Sequence, residues 1–195
     1  YLVEKYNFAH KDFGQEIRDE LKFLGKNYLD RIEMINLGNE RRKEFGADYW
    51  AKRLLDGYSK NEKLVLSSVR NPTEAEVIIS NGGIIVEVFA SIETRFKRTV
   101  ERVKSDPSYK HGDIVFEDFK NKELLELKNP DPSKQQTLKC ISMAKYRIDN
   151  NGSIEDFKKR IDELMNSLIW LIYFNKLIIL LGVYFLDFIF LVFQY

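Results

Sequence analysis

Lys63-Leu64-Val65-Leu66-Ser67 runs directly into Ser68-Val69-Arg70-Asn71-Pro72-Thr73-Glu74-Ala75-Glu76, and Gly82-Gly83-Ile84-Ile85-Val86-Glu87-Val88-Phe89 follows. The outer runs are short and apolar, which is the pattern of buried strands. Between them Asn71-Pro72 opens a helix, with proline in its first turn. Gly82-Gly83 makes the turn into the second strand. Strands separated by helices imply a parallel sheet with helices on both faces.

The alternation continues outward. Ile17, Leu21 and Leu24 recur at helical spacing. Ile32, Ile35 and Asn39 lead through Glu40-Arg41-Arg42-Lys43-Glu44-Phe45 to Gly46, a C-terminal cap. Asp48 caps a short helix through Leu55. Downstream, Ser91 caps a helix carrying Arg95, Arg98 and Arg102, and Asp106 to Asp113 is turn-rich. Phe116 to Leu127 and Gln135 to Met143 read as helices with Pro130-Asp131-Pro132 as a loop between them. Tyr146-Arg147-Ile148 is a strand, Asn150-Asn151-Gly152 turns, and Ser153 with Asp156 starts the last amphipathic helix as a capping box. At the other end, Tyr1 to Tyr6 reads as the end of a helix already under way, so a segment upstream is expected to be missing.

Of the 195 residues, 31% are charged and 44% apolar, which fits a globular domain, and the net charge of +1 gives no general attraction to nucleic acid. A single cysteine, Cys140, excludes an internal disulfide, and two histidines, His10 and His111, leave few metal ligands, so no metal site is expected. No secretory signal is visible, and a cytoplasmic location is expected.

Composition divides the chain into 1–166 and an apolar tail, 167–195, in which only Lys176 and Asp187 are charged. The stretch 168–195 is long enough to span a bilayer, the one route to a membrane in this sequence. Its two charges each cost roughly 2.5–3.5 kcal/mol at a helix centre, close to what the apolar residues return. A marginal transmembrane helix, a partner-binding helix and an out-of-frame reading of AT-rich DNA all fit its composition.

Arginine binds phosphate through its planar fork of donors, and ligands of open α/β sheets sit at the carboxyl ends of the strands. Arg70 directly follows the strand at 63–67, Arg18 lies on the first full helix, and Arg42 lies one turn before Gly46. Arg41, Arg53 and Arg160 read as solvated surface charges. Cys140 has no histidine near it in sequence and reads as buried and structural. His10, between Phe8 and Phe13, reads as a strand-end or core-edge residue and not as a base. Glu117-Asp118 and Glu155-Asp156 read as helix-start charges favoured by the dipole. Asp106 and Asp113 read as turn residues.

The ordered set of blocks resembles the archaeal-type P-loop nucleoside monophosphate kinases and dephospho-coenzyme-A-kinase-like proteins. It comprises Ile17-Arg18-Asp19-Glu20-Leu21, Asn39 to Gly46, Ala51 to Leu54, Ser68 to Glu76, Ala90 to Arg98, Phe116 to Phe119, Asn129 to Gln136 and Asn150 to Asp156. The resemblance covers residues 1 to about 165. It implies a three-layer P-loop-kinase-like parallel sheet flanked by helices, here followed by a hydrophobic carboxyl-terminal helix. It implies transfer of the γ-phosphoryl of ATP, with Mg2+, to a nucleoside monophosphate, or alternatively to dephospho-coenzyme A. Arg18, Arg42 and Arg70 then match acceptor-side positions. Arg98 and Arg102 match catalytic lid positions, and Gln135 and Asn151 the adenine end.

One departure is large. The family begins with a central strand and a glycine-rich loop ending in Lys-Ser or Lys-Thr, which holds the donor phosphates and magnesium. No such motif occurs in these 195 residues. The expectation is a gapped sheet, weak ATP binding and an inactive chain. A non-catalytic nucleotide-binding protein, or a membrane-attached interaction protein, is the alternative from a different class.

Overall fold

Both runs at the heart of the sequence form strands, and the helix between them starts at Pro72 with Asn71 as its N-cap, the Asn71 side chain accepting from Thr73 N at 2.9 Å. The computed structural model describes residues 1–58, 63–105, 114–180 and 190–194. Asp106, His111, Asp113 and Asp187 lie outside them.

In chain order the elements are α1 (Leu2–Tyr6), β1 (Ala9–Asp12), α2 (Phe13–Phe23), α3 (Arg31–Phe45), α4 (Tyr49–Leu55), β2 (Leu64–Ser67), α5 (Pro72–Ser80) and β3 (Gly83–Phe89). There follow α6 (Ile92–Ser105), α7 (Phe116–Leu127), α8 (Thr137–Ser142), β4 (Tyr146–Asp149), α9 (Ile154–Leu180) and β5 (Phe190–Gln194). The strands form one five-stranded parallel sheet in the order β1-β2-β5-β3-β4.

A parallel sheet needs both faces covered, and two apolar clusters do this. On one face Phe13, Ile17, Leu21, Leu37, Trp50, Leu54, Ala75, Ile78 and Cys140 pack with Leu64, Leu66 and Ile85. On the other, Leu2, Phe8, Phe157, Ile161, Leu164, Met165 and Leu168 pack with Val65, Val86, Val88 and Ile148. Alternate residues of β2 and β3 thus enter opposite cores, as the two-residue period of a strand requires.

The first face depends on a close approach. Trp50 is sealed from solvent and donates its indole N–H to Gly38 O at 3.2 Å. A Cβ on Gly38 would lie 3.2 Å from Ile17 Cδ1, so glycine lets α2 and α3 meet. In α3 it is Leu37 and Arg42 that turn inward, while Ile32 and Ile35 are exposed. On the second face Ser153 and Asp156 form the expected box, with Asp156 N donating to Ser153 Oγ at 3.1 Å and Ser153 N to Asp156 Oδ2 at 3.2 Å.

Two expectations are corrected. The sheet has no central gap, because β5 lies between β2 and β3 and pairs with both. An empty slot would leave buried ladder groups unpaired, at about 1–3 kcal/mol for each. Nor is the tail a separate apolar helix. Its first part continues α9 to Leu180, with Leu168 buried beside Phe157 and Ile161, and its last part is strand β5. Among the described residues no helix is long and apolar enough to cross a membrane.

Candidate functional site

Because the five strands are parallel, their carboxyl ends share one edge of the sheet, where open α/β folds bind ligands. That edge carries Asp12 after β1, Ser67-Ser68-Val69-Arg70 after β2, Ala90-Ser91 after β3 and Asp149-Asn150-Asn151 after β4.

Asp12 is the centre of the β1–β2 end. It caps α2 by accepting from Gln15 N at 2.8 Å through Oδ1. Its Oδ2 accepts the hydroxyls of Ser67 at 2.5 Å and Ser68 at 2.7 Å. Burial pushes the Asp12 carboxyl up, but the Ser67 and Ser68 hydroxyls, the Gln15 N–H and His10 together hold it below the usual carboxylate range. Ser68 adopts a left-handed conformation, φ 67°, a costly one for a residue with a side chain, and this aims its hydroxyl at Asp12.

His10 Nε2 lies 2.8 Å from Ser67 Oγ. Since Ser67 gives its proton to Asp12, His10 donates to the serine oxygen. That polarity is the reverse of a histidine taking a serine proton, so the trio is not a nucleophilic device. A cleft of about 550 Å³ opens here, lined by His10, Lys11, Asp12, Gln15, Glu16 and Leu54.

Arg18 lies above this end. A Cβ on Gly14 would meet Arg18 Nη1 at 3.6 Å and Asp12 Oδ1 at 3.0 Å, so the guanidinium folds back over the first turn of α2. It is half-buried, and among the described residues it has no hydrogen-bond or ion-pair partner. Arg70, also half-buried, donates from Nη1 to Gln135 Oε1 at 3.3 Å. The expected phosphate-side arginine and the expected adenine-side glutamine are thus in contact.

Asn71, fully buried, holds this loop in place. Its Nδ2 donates to Pro132 O at 2.7 Å and Lys134 O at 3.2 Å, while Gln136 N donates to Arg70 O at 2.9 Å. In the sequence Asn71 reads as a helix start, and nothing local shows its second role.

The remaining expected residues are dispersed. Arg42 is 8% exposed and donates from Nε to Glu74 Oε1 at 2.8 Å; Glu74 is wholly buried. Burial pushes the Glu74 carboxyl up against the pull of Arg42, and its Oε2 has no partner among the described residues. Arg42 is therefore a core residue and does not face the crevice.

Arg98 donates to Asn150 O at 2.7 Å and Gly152 O at 3.2 Å, tying α6 to the β4–α9 turn. Arg102 is exposed on the last turn of α6. Asn151 accepts from Ser91 N at 2.8 Å and donates to Asp149 Oδ2 at 2.8 Å, so it joins the ends of β3 and β4. The structure brings Arg18, Arg70 and Gln135 toward the β1–β2 end, and Arg98 and Asn151 to the β3–β4 end.

Several arginines that read as solvated are paired. Arg41 and Arg53 both bind Glu20, each at 2.5 Å, and Arg53 also binds Glu16 at 2.6 Å. Arg160 donates to Asp149 O at 2.6 Å and Oδ1 at 2.8 Å. Arg95, on the face of α6 with Arg98 and Arg102, donates to Glu123 and Ala90 O. Cys140 is buried as expected, and burial pushes its thiol up to about 12, so it is inert at neutral pH.

The oxygens of Asp12 are engaged by hydroxyl and amide donors, and among the described residues no group of three acidic, histidine or cysteine side chains could hold a metal. No glycine-rich loop ending in Lys-Ser or Lys-Thr occurs within the 195 residues. The residues present do not fit a nucleoside triphosphate with its magnesium ion.

No family model matches the chain. It is similar to a UPF0200 protein of Thermoplasma volcanium, 30% identical over 168 residues, spanning 84% of this chain and 86% of that protein. A UPF0200 protein of Methanothrix thermoacetophila is 28% identical over 157 residues, 80% of this chain and 81% of its own length. One of Methanothermobacter thermautotrophicus is 25% identical over 169 residues, 86% and 81%. The chain belongs to the UPF0200 family.

Proposed function

We propose that this member of the UPF0200 family is built on the P-loop nucleotide-kinase scaffold and carries its acceptor side. It binds the phosphate of a nucleoside monophosphate at the carboxyl ends of β1 and β2, and the 195 residues carry no glycine-rich Lys-Ser or Lys-Thr loop to hold ATP. The observation that carries this reading is Arg18, a half-buried guanidinium with no partner among the described residues, held over the first turn of α2 at the ligand-binding edge.

An anion there meets a fork of donors and the positive end of α2. Arg70 stands on the loop after β2 and reaches Gln135, which supports a second contact beside the first. The sheet order adds support for the scaffold, because a single strand lies between β2 and β3, the central place that the phosphate-loop strand takes in the resembled kinases. In an intact kinase of that class ATP and Mg2+ supply the phosphoryl group. Dephospho-coenzyme A offers a similar phosphate and is the second acceptor to test.

The test is calorimetric titration of the full chain with a panel of nucleoside monophosphates and dephospho-coenzyme A. Binding of one of them, weakened at least tenfold by Arg18→Ala with folding intact, supports the reading. Absence of binding across the panel, or equal affinity in the variant, overturns it.

A further inference from the structure

We propose that Gln135 is a positioning residue for the acceptor phosphate: it orients the Arg70 guanidinium after β2, and the loop 129–136 that carries it is the bracket for that contact. The proposal rests on the acceptor reading above. It places Gln135 on the acceptor's side, not at the adenine end that the resemblance implies.

The bracket grips residues 70 and 71 by backbone and by side chain. Gln136 N donates to Arg70 O at 2.9 Å, and Asn71 Nδ2 donates back to Pro132 O at 2.7 Å and Lys134 O at 3.2 Å. Gln135 lies between these anchors and accepts from Arg70 Nη1 at 3.3 Å. The loop is also tied within itself. Asn129 Oδ1 accepts from Asp131 N at 3.1 Å, and Asp131 Oδ1 accepts from Ser133 N at 2.9 Å and Ser133 Oγ at 2.7 Å. Gln136, buried, closes the turn by donating from Nε2 to Asn129 O at 2.7 Å. Gln135 is thus presented to Arg70 by a closed turn fixed on both sides of it.

The chemistry of this contact differs from that of the structural arginines. Arg42 is held by Glu74, Arg95 by Glu123 and Arg160 by Asp149, each through a carboxylate that offsets the charge it binds. An amide oxygen accepts one N–H of the guanidinium and adds no negative charge. It therefore orients Arg70 without competing with an anion for the positive charge. A long side chain already ordered before the ligand arrives spares binding that ordering cost. The planar fork makes the benefit depend on direction, since two parallel bonds to a phosphate need the guanidinium plane correctly turned.

Calorimetric titration of the full chain with the nucleoside monophosphate that binds best tests this, with the thermal midpoint of each variant measured alongside. Gln135→Glu keeps the shape and the accepting oxygen but sets a negative charge against Arg70 and the phosphate. It is expected to weaken binding about tenfold or more with the midpoint unchanged or raised, which a merely structural contact would not do. Gln135→Leu removes the acceptor and is expected to weaken binding about threefold or more. In an Arg70→Ala background, where Arg18 still holds the phosphate, Gln135→Leu is expected to cost nothing further, because residues that act through one another are not additive. A loss that persists undiminished without Arg70 means that Gln135 touches the ligand itself and overturns the proposal. Wild-type affinity in Gln135→Glu also overturns it, and that measurement stands without the Arg70 background. Binding that is indifferent to position 135 sinks this proposal alone; no binding by the unmodified chain sinks the acceptor reading with it.

Discussion

Arg42 donates to Glu74 across 2.8 Å with both side chains closed off from water. Removing one member of such a pair strands the other charge, which costs about 3–5 kcal/mol, whereas replacing both with apolar residues of similar volume is often near neutral. Arg42→Ala is expected to lower stability by about that amount, and Arg42→Met with Glu74→Leu by much less. Urea unfolding at pH 7 measures both. Burial raises the Glu74 carboxyl, and a group raised on folding favours the folded state most below its ordinary value of about 4.3 and loses that contribution as pH rises through the folded value. The damage in Arg42→Ala is therefore expected to shrink toward acid pH.

The amino-terminal helix is pinned by one carboxylate. Asp162 on α9 accepts from Tyr1 and Tyr6 hydroxyls, each at 2.7 Å to Oδ1, and from Lys5 Nζ at 2.7 Å to Oδ2. Lys5 first, then the two tyrosines, hold the Asp162 carboxyl down to about 2. A carboxylate lowered on folding contributes above its ordinary value of about 3.9 and loses that contribution as pH falls through its folded value. Amide protection in α1 is expected to fall away in that acid window. In Asp162→Asn it is expected to be reduced already at pH 7, with no acid step.

Asn71 does two jobs with one side chain, capping α5 and holding the Pro132–Lys134 backbone. Asn71→Ala removes a cap, about 1 kcal/mol, and leaves the Pro132 and Lys134 carbonyls without their donor, about 0.5–1.5 kcal/mol for each lost hydrogen bond. The expected result in urea unfolding is a loss of roughly 2–4 kcal/mol. Weaker nucleotide binding is expected with it, because the loop carrying Gln135 is released from Arg70.

Ser153→Ala tests the start of α9. It removes the oxygen that accepts from Asp156 N and the hydroxyl that donates to Asp156. The expected loss is about 1 kcal/mol, read as a lower thermal midpoint with unchanged helix content.

What the sequence disclosed depends on how local the signal was. The strand–helix–strand run at 63–89, the caps at Asn71, Ser91 and Ser153, the glycine stop at Gly46 and the helix from Phe116 to Leu127 follow from short-range rules, and the structure has them. Strand β1 was not marked, because Ala9-His10-Lys11-Asp12 lacks the apolar alternation of a strand and gains its place from pairing with β2. The placement of β5 was equally hidden: Phe190 to Gln194 sits in a tail of uniform apolarity, and only the empty place beside Leu64 and Gly83 tells strand from helix. At the site, the positions of Arg18 and Arg70 near strand ends could be read from order along the chain. The inward turn of Arg42 could not, since its partner Glu74 lies on another element.

The most direct test of the account compares two titrations of the full chain, one with the nucleoside monophosphate that binds best and one with ATP and Mg2+. Saturable heat is expected with the monophosphate and none with the triphosphate, in keeping with Arg18, which has no partner among the described residues, at the crevice and with no glycine-rich Lys-Ser or Lys-Thr loop within the 195 residues. Tight binding of ATP, or release of ADP when both nucleotides are present, would contradict it.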